Sequence, residues 1–179
     1  MEIGVLTRAT KALALLLAAA VAAAAPSAAG REGDGVVLVS PAGQIGALSL
    51  DRSTEADVRR LAGKPAHVSS FADAGGGPLI GKELQYRCGH GCRTSYLISR
   101  ATGRITDFVS NSPRLVTPHG SRVGMSQEEV ERREGVRARS LCLRSVVLHS
   151  GPRRLELEIG PKKTLVRFIL SGSHSHLSC

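Results

Sequence analysis

Reactive side chains are concentrated in one short run of this 179-residue chain, Cys88-Gly-His-Gly-Cys92. Two thiols around an imidazole can do three things: close a disulfide, hold a soft metal ion, or exchange electrons as a dithiol. His174 and His176 beside Cys179 repeat the combination near the C-terminus. Thiolate and imidazole both suit zinc and copper. A single Cys-x3-Cys with no second pair at comparable spacing is a poor zinc signature, however, and an oxidised cysteine has no thiolate to give. No thioredoxin-type Cys-x-x-Cys on a helix is present. The sequence therefore assigns no metal and no cofactor. A small extracytoplasmic redox or metal-binding factor using Cys88, Cys92 and His90 is kept as the alternative reading.

The other chemical signals are weaker. Gly76 to Lys82, GGPLIGK, has the glycine and lysine spacing of a phosphate-binding loop. Glu83 stands where that loop needs Ser or Thr for magnesium, and a strand-like alternation follows instead of a helix. Neither a Gly-x-Ser-x-Gly elbow nor a His-Glu-x-x-His pair occurs, so no catalytic residue is assigned and the chain reads as a non-enzyme. Net charge is +9. Arg132, Arg133, Arg137 and Arg139 form the densest basic cluster, able to steer an acidic protein or an anionic cell-envelope component to the surface. Few aromatics and no recognition motif make nucleic acid a poor partner.

The N-terminus indicates the compartment. Arg8 and Lys11 precede an apolar run from Ala12 to Ala25 and then small residues up to Gly30, the order of a secretory signal. The run is shorter than the ~20 residues of a membrane span, so no stable membrane insertion is expected. No Cys follows it, which reads as secreted or extracytoplasmic rather than lipid-anchored. Four cysteines in an exported chain imply two disulfides, with three possible pairings. The glycine-flanked turn favours Cys88 with Cys92, leaving Cys142 with Cys179.

The elements that must position these groups occur in two similar series. Leu50 to Gly63 (LDRSTEADVRRLAG) and Val123 to Gly135 (VGMSQEEVERREG) each read as a short capped helix ending at Gly, with Thr54, Asp57, Val58 and Gly63 matching Ser126, Glu129, Val130 and Gly135 at one constant offset. Ser126 and Glu129 make the cleaner capping box, with Met125 and Val130 as staple; Thr54 and Asp57 repeat it with a shorter acid. Helices of about ten residues need packing to persist. After the first, Glu83–Cys88, Arg93–Ser99 and Arg104–Ser110 alternate as strands, and after the second, Ser145–His149, Arg153–Ile159 and Thr164–Leu170 do so. Val36–Ser40 and His67–Phe71 are weaker strands, and residues 72–82 read as the main long loop.

The segment ITDFVSNSPRLVTPHGSRVGMSQEEVERREG resembles the signature of the beta-lactamase inhibitory protein superfamily and of the SmpA/OmlA outer-membrane small lipoproteins, through Thr117, Gly120, Gly124, Met125 and Ser126. The resemblance implies a non-enzymatic fold that binds other proteins through a sheet face. In the inhibitors that face is rich in aromatics; here the aromatics are Phe71, Tyr86, Tyr96, Phe108 and Phe168. Tyr86 and Tyr96 are its candidate contacts. The expectation is an α+β fold of two tandem repeats, each a short helical element followed by an antiparallel β meander. Its divisions are 1–29 signal peptide, 30–42 flexible or edge-strand N-terminus, 43–117 first repeat and 118–179 second repeat.

Overall fold

Alternation of apolar and polar residues explains the sheet. In Arg153–Ile159, Leu155, Leu157 and Ile159 are buried on one face while Glu156 and Glu158 lie on the other, as a period of two requires. The computed structural model of the protein describes residues 35–72, 77–140 and 144–173. In chain order its elements are β1 (Val37–Leu38), β2 (Gln44–Ile45), β3 (Leu48–Ser49), α1 (Glu55–Ala62), β4 (His67–Ala72), β5 (Leu79–Arg87), β6 (Arg93–Ser99), β7 (Ile105–Ser110), β8 (Leu115–Val116), α2 (Gln127–Glu134), β9 (Arg139–Ser140), β10 (Arg144–Ser150), β11 (Arg153–Ile159) and β12 (Leu165–Ser171).

The fold is mixed α+β. Eight antiparallel strands form one sheet in the order β4-β5-β6-β7-β12-β11-β10-β9. The centre is the β7–β12 pairing, where Phe108 lies opposite Leu170 and Ser110 opposite Phe168. β1 runs parallel to β8, and β2 with β3 makes a separate small hairpin.

Both helices lie against the same core. Val58 of α1 and Val130 of α2 are fully buried in the cluster that holds Leu84, Tyr86, Tyr96, Phe108, Leu155, Leu157 and Phe168. Burial of each valine contributes about 1.5–3 kcal/mol, which is what keeps helices of this length folded. Each N-cap residue also bridges the residue just ahead of a central strand: Thr54 pairs with Arg104, and Ser126 with Thr164.

The two helix starts differ from the expectation. The complete capping box is at α1, where Thr54 N and Oγ1 both donate to Asp57 Oδ2 at 2.9 Å and Asp57 N donates back to Thr54 Oγ1. At α2 only one arm forms, Glu129 N to Ser126 Oγ. The Glu129 carboxylate is taken by Arg132 and Arg133 instead, at 2.7 and 2.6 Å. The motif residues around Thr117 are structural: Ser121 N donates to Thr117 Oγ1, and the Thr117 hydroxyl donates to Glu134 at the end of α2.

The strands follow the sequence closely, with β6 and β11 matching their expected limits. The loop expected over 72–82 is shorter, because β5 begins at Leu79. Gly81 and Lys82 consequently sit inside a strand, with the Lys82 amine 3.4 Å from Glu55, so the lysine end of the phosphate-loop spacing is strand rather than loop. The leader, Cys142, His174, His176 and Cys179 lie outside the described residues. Among the described residues no helix is long and apolar enough to cross a membrane.

Candidate functional site

The β5–β6 hairpin ends in the Cys88–Cys92 turn, and the structure closes it with a disulfide across a Cα–Cα separation of 5.0 Å. Gly89 and Gly91 flank His90 with φ of 131° and 68°, a backbone that L side chains rarely adopt. Cys88 N donates to Cys92 O and Cys92 N to Gly89 O, each at 3.3 Å. Asn111, just past β7, clamps the outgoing strand: its Oδ1 accepts from Arg93 N at 2.7 Å, and its Nδ2 donates to Gly91 O at 2.9 Å. The tip is thus held by a covalent bond and a side-chain clamp, with His90 exposed at its apex.

At the neck of this tip Arg87 and Arg93 are direct cross-strand partners, and both are exposed. Like charges placed opposite each other on a sheet destabilise it by about 0.2–1 kcal/mol. No acidic side chain forms an ion pair with either among the described residues. A guanidinium offers paired N–H donors matched to carboxylate and phosphate oxygens. Two of them at the neck of a braced turn can take up the oxygens of such an anion. The run Arg-Cys-Gly-His-Gly-Cys-Arg from 87 to 93 reads identically in both directions, and that symmetry is the sequence signal that points to the arginines.

A concavity lies on each side of the tip. One, of about 170 Å3, is lined by Tyr86, Tyr96, Phe108, Arg87 and Arg114. The other, of about 440 Å3, is lined by Arg93, Asn111, Glu158 and Arg167, with Arg167 ion-paired to Glu158.

Tyr86 and Tyr96 are not the open sheet-face contacts that the sequence suggests. They are only 8% and 7% exposed, because their positions in the alternation face α1 and the core. Their rings pack edge to face at 5.8 Å, and Tyr96 meets Phe108 at 5.2 Å. The Tyr86 hydroxyl donates to Gly63 O at 3.3 Å, and burial raises its pKa above the ordinary tyrosine value.

The arginine cluster is also divided. Arg132 and Arg133 hold Glu129, whose pKa they lower in that order, and Arg133 also donates to His119 O at 3.4 Å. The carboxyl of Glu131 is held low mainly by Gln127, then by the Ala138 amide, with Arg137 adding its charge. Arg139 is exposed on β9. Much of the positive charge that the sequence places here is therefore compensated locally, and none of these four arginines is at the disulfide tip.

No protein-family model matches the chain, and no curated protein does. Among solved structures it is similar to a DUF4309 family protein, YjgB, from Bacillus subtilis, with a TM-score of 0.50 and 18% identity over 72% of this chain and 84% of that one. At that identity the likeness concerns the fold alone. An extracellular protein containing an SCP domain from Bacillus anthracis aligns with a TM-score of 0.44 and 8% identity, over 67% of this chain and 43% of that one. The disulfide is compatible with an extracytoplasmic location.

Proposed function

We propose that the protein is a secreted, non-enzymatic binding module that recognises an acidic protein or an anionic cell-envelope component through its disulfide tip. The observation that carries this reading is the Arg87–Arg93 pair: two cations face each other across a braced hairpin neck with no acid to neutralise them. Such an arrangement costs the free protein stability and is relieved by an anion. The chain is further proposed to consist of two tandem helix-plus-meander repeats meeting at β7 and β12. The equivalent bridges Thr54–Arg104 and Ser126–Thr164 support that reading, as do the Gly C-caps of both helices.

The test is retention on immobilised poly-L-glutamate and on a glycerol-phosphate polymer. Retention should fall as salt rises to physiological strength, where exposed charges are screened over about 8 Å. Arg87→Gln with Arg93→Gln should abolish it, mainly through slower association. Equal retention of this double variant would remove the tip from the function.

A further inference from the structure

We infer that the tip is one end of a longer site, a single row of arginines across the sheet that takes an extended anionic chain; this rests on the anion-binding reading of the tip and specifies the shape of its ligand. Residues directly opposed in a sheet share a face. The register places Arg87 opposite Arg93, and Arg93 O accepts from the amide of Asn111 just past β7. On the other half of the sheet Arg167 lies opposite Glu158, Glu158 opposite Ser145, and Ser145 opposite Arg139. This level is on the face turned away from the helices, because Tyr86, Leu157 and Phe168, the chain neighbours of Arg87, Glu158 and Arg167, are buried in the core. The two halves meet at one concavity of about 440 Å3 lined by Arg93, Asn111, Glu158 and Arg167. Arg87, Arg93 and Arg139 are exposed, and no ion pair holds any of them among the described residues. Arg167 is paired to Glu158 and keeps 41% of its side chain exposed.

The cations form a line and not a patch. Two residues further along each strand, the next row on this face is Gln85, Ser95, Val109, Ile169, Glu156 and Val147, with no cation and one acid. From β5 to β9 is six strand steps, about 29 Å at the usual strand spacing, which a single carboxylate or phosphate cannot bridge. A sheet also turns by roughly 20–25° at each step, so the surface of a folded partner meets only neighbouring arginines, whereas a flexible chain follows the whole row. The ligand class is therefore a flexible polymer with repeated carboxylates or phosphates, and not a compact acidic protein.

Fluorescein-labelled tetra-L-glutamate and deca-L-glutamate, titrated by anisotropy at low salt, test the length of the site. Fully extended, ten residues span about 33 Å and four about 13 Å, so the longer probe reaches from Arg87 to Arg139 and the shorter covers only the tip. Arg139→Gln should weaken decaglutamate about two- to fivefold, the range for one exposed ion pair, and leave tetraglutamate unchanged. Glu158→Gln frees Arg167 and should strengthen decaglutamate by a similar factor. Arg100→Gln, which removes the same charge from the exposed turn at the other end of β6, should change neither. Glycerol-phosphate oligomers of the same two spans, carried through the same variants, distinguish phosphate from carboxylate, and the polymer whose binding depends on Arg139 is the one the row takes. Long oligomers of both kinds that bind equally well in wild type, Arg139→Gln and Glu158→Gln would overturn the row, as would an equal loss in Arg100→Gln. If Arg87→Gln with Arg93→Gln abolishes binding while Arg139→Gln has no effect, the row falls and the tip stands, the pattern of a compact acidic partner. Wild-type protein that binds none of these oligomers removes the tip as well.

Discussion

Arg153 at the start of β11 reaches back 102 residues to Asp51, with its Nε and Nη2 each 3.3 Å from Asp51 Oδ2. Its Nη1 donates to Ala42 O at 3.0 Å. The side chain passes over Gly43, where an added Cβ would stand 2.8 Å from Arg153 Cδ. One arginine thus joins the second half of the sheet to two loops that precede α1.

Arg153→Ala should lower unfolding stability by about 1–3 kcal/mol, the range for partly buried hydrogen bonds to charged groups. Gly43→Ala should also destabilise, since its φ of 95° disfavours a side chain and the arginine must move. Urea denaturation of each variant measures this. An Arg153→Ala midpoint equal to wild type would show that the clasp is not a stabilising contact.

The helix caps give a second expectation. Thr54→Ala removes both bonds of the Thr54 hydroxyl, to the Asp57 carboxylate and from the Asp57 amide, while leaving the backbone arm, and should cost about 1–2 kcal/mol, whereas Ser126→Ala removes a single bond and should cost about 0.5–1 kcal/mol. Chemical denaturation ranks them, and the reverse order would contradict the observed caps.

Acid should act through the same groups. Asp57 is lowered first by the Thr54 backbone hydrogen bond, then by the Thr54 hydroxyl and Arg60. Glu129 is lowered by Arg132 and Arg133, and Glu55 by Arg59 despite opposing burial. A carboxyl with a depressed folded pKa binds its proton more readily when unfolded, so its contribution is fully present above the unfolded value of about 4. It is lost as pH falls through the lower folded value. Stability should hold from neutrality to about pH 5 and decline below about pH 4, with a shallower decline in Asp57→Asn. A decline in that variant as steep as wild type would exclude Asp57 as a contributor.

The legibility of these features in the sequence was uneven. Caps and alternation placed α1, α2, β6 and β11 because each has a local physical cause: a hydroxyl three residues from an acid, or a period of two. The two-residue strands β2, β3, β8 and β9 are too short to show a period, and β1, which lies within the strand expected over Val36–Ser40, finds β8 only through tertiary contact. Alternation assigned Tyr86 and Tyr96 to one face of the sheet but held no information on which face the helices would cover. Arg87 and Arg93 were hidden for a related reason. Their significance is their opposition across a hairpin, which depends on register, while Arg132 and Arg133 drew notice by adjacency although Glu129 lies one turn away to neutralise them.

Register gives the tip a two-sided signature. Arg93→Gln should raise stability by about 0.2–1 kcal/mol by relieving the cross-strand repulsion while weakening polyanion binding. Thermal unfolding and salt-gradient retention on the same sample test both signs. A variant that loses stability and keeps binding would show that Arg93 serves the fold.

For the disulfide, Cys88→Ser with Cys92→Ser should cost at most about 2 kcal/mol, because the closed loop is very short. It should reduce polyanion binding more than stability, through loosening of the tip. Thiol titration of the native protein should find no reactive thiol at these two positions, and a freely titrating pair would favour the redox alternative. Non-reducing peptide mapping tests the pairing of Cys142 with Cys179.

The place of β12 between β7 and β11 has a consequence for how the molecule is made. A chain that emerges N-terminus first completes β4 to β7 early, yet β7 then exposes an unpaired inner edge until a strand some fifty-five residues downstream is available, a delay of several seconds at about 5–20 residues per second. The half-finished sheet is a template for any other β-rich chain nearby. Holding such a chain unfolded until all of it is present, as passage through a narrow export channel would do, protects the middle of this sheet more than its rim.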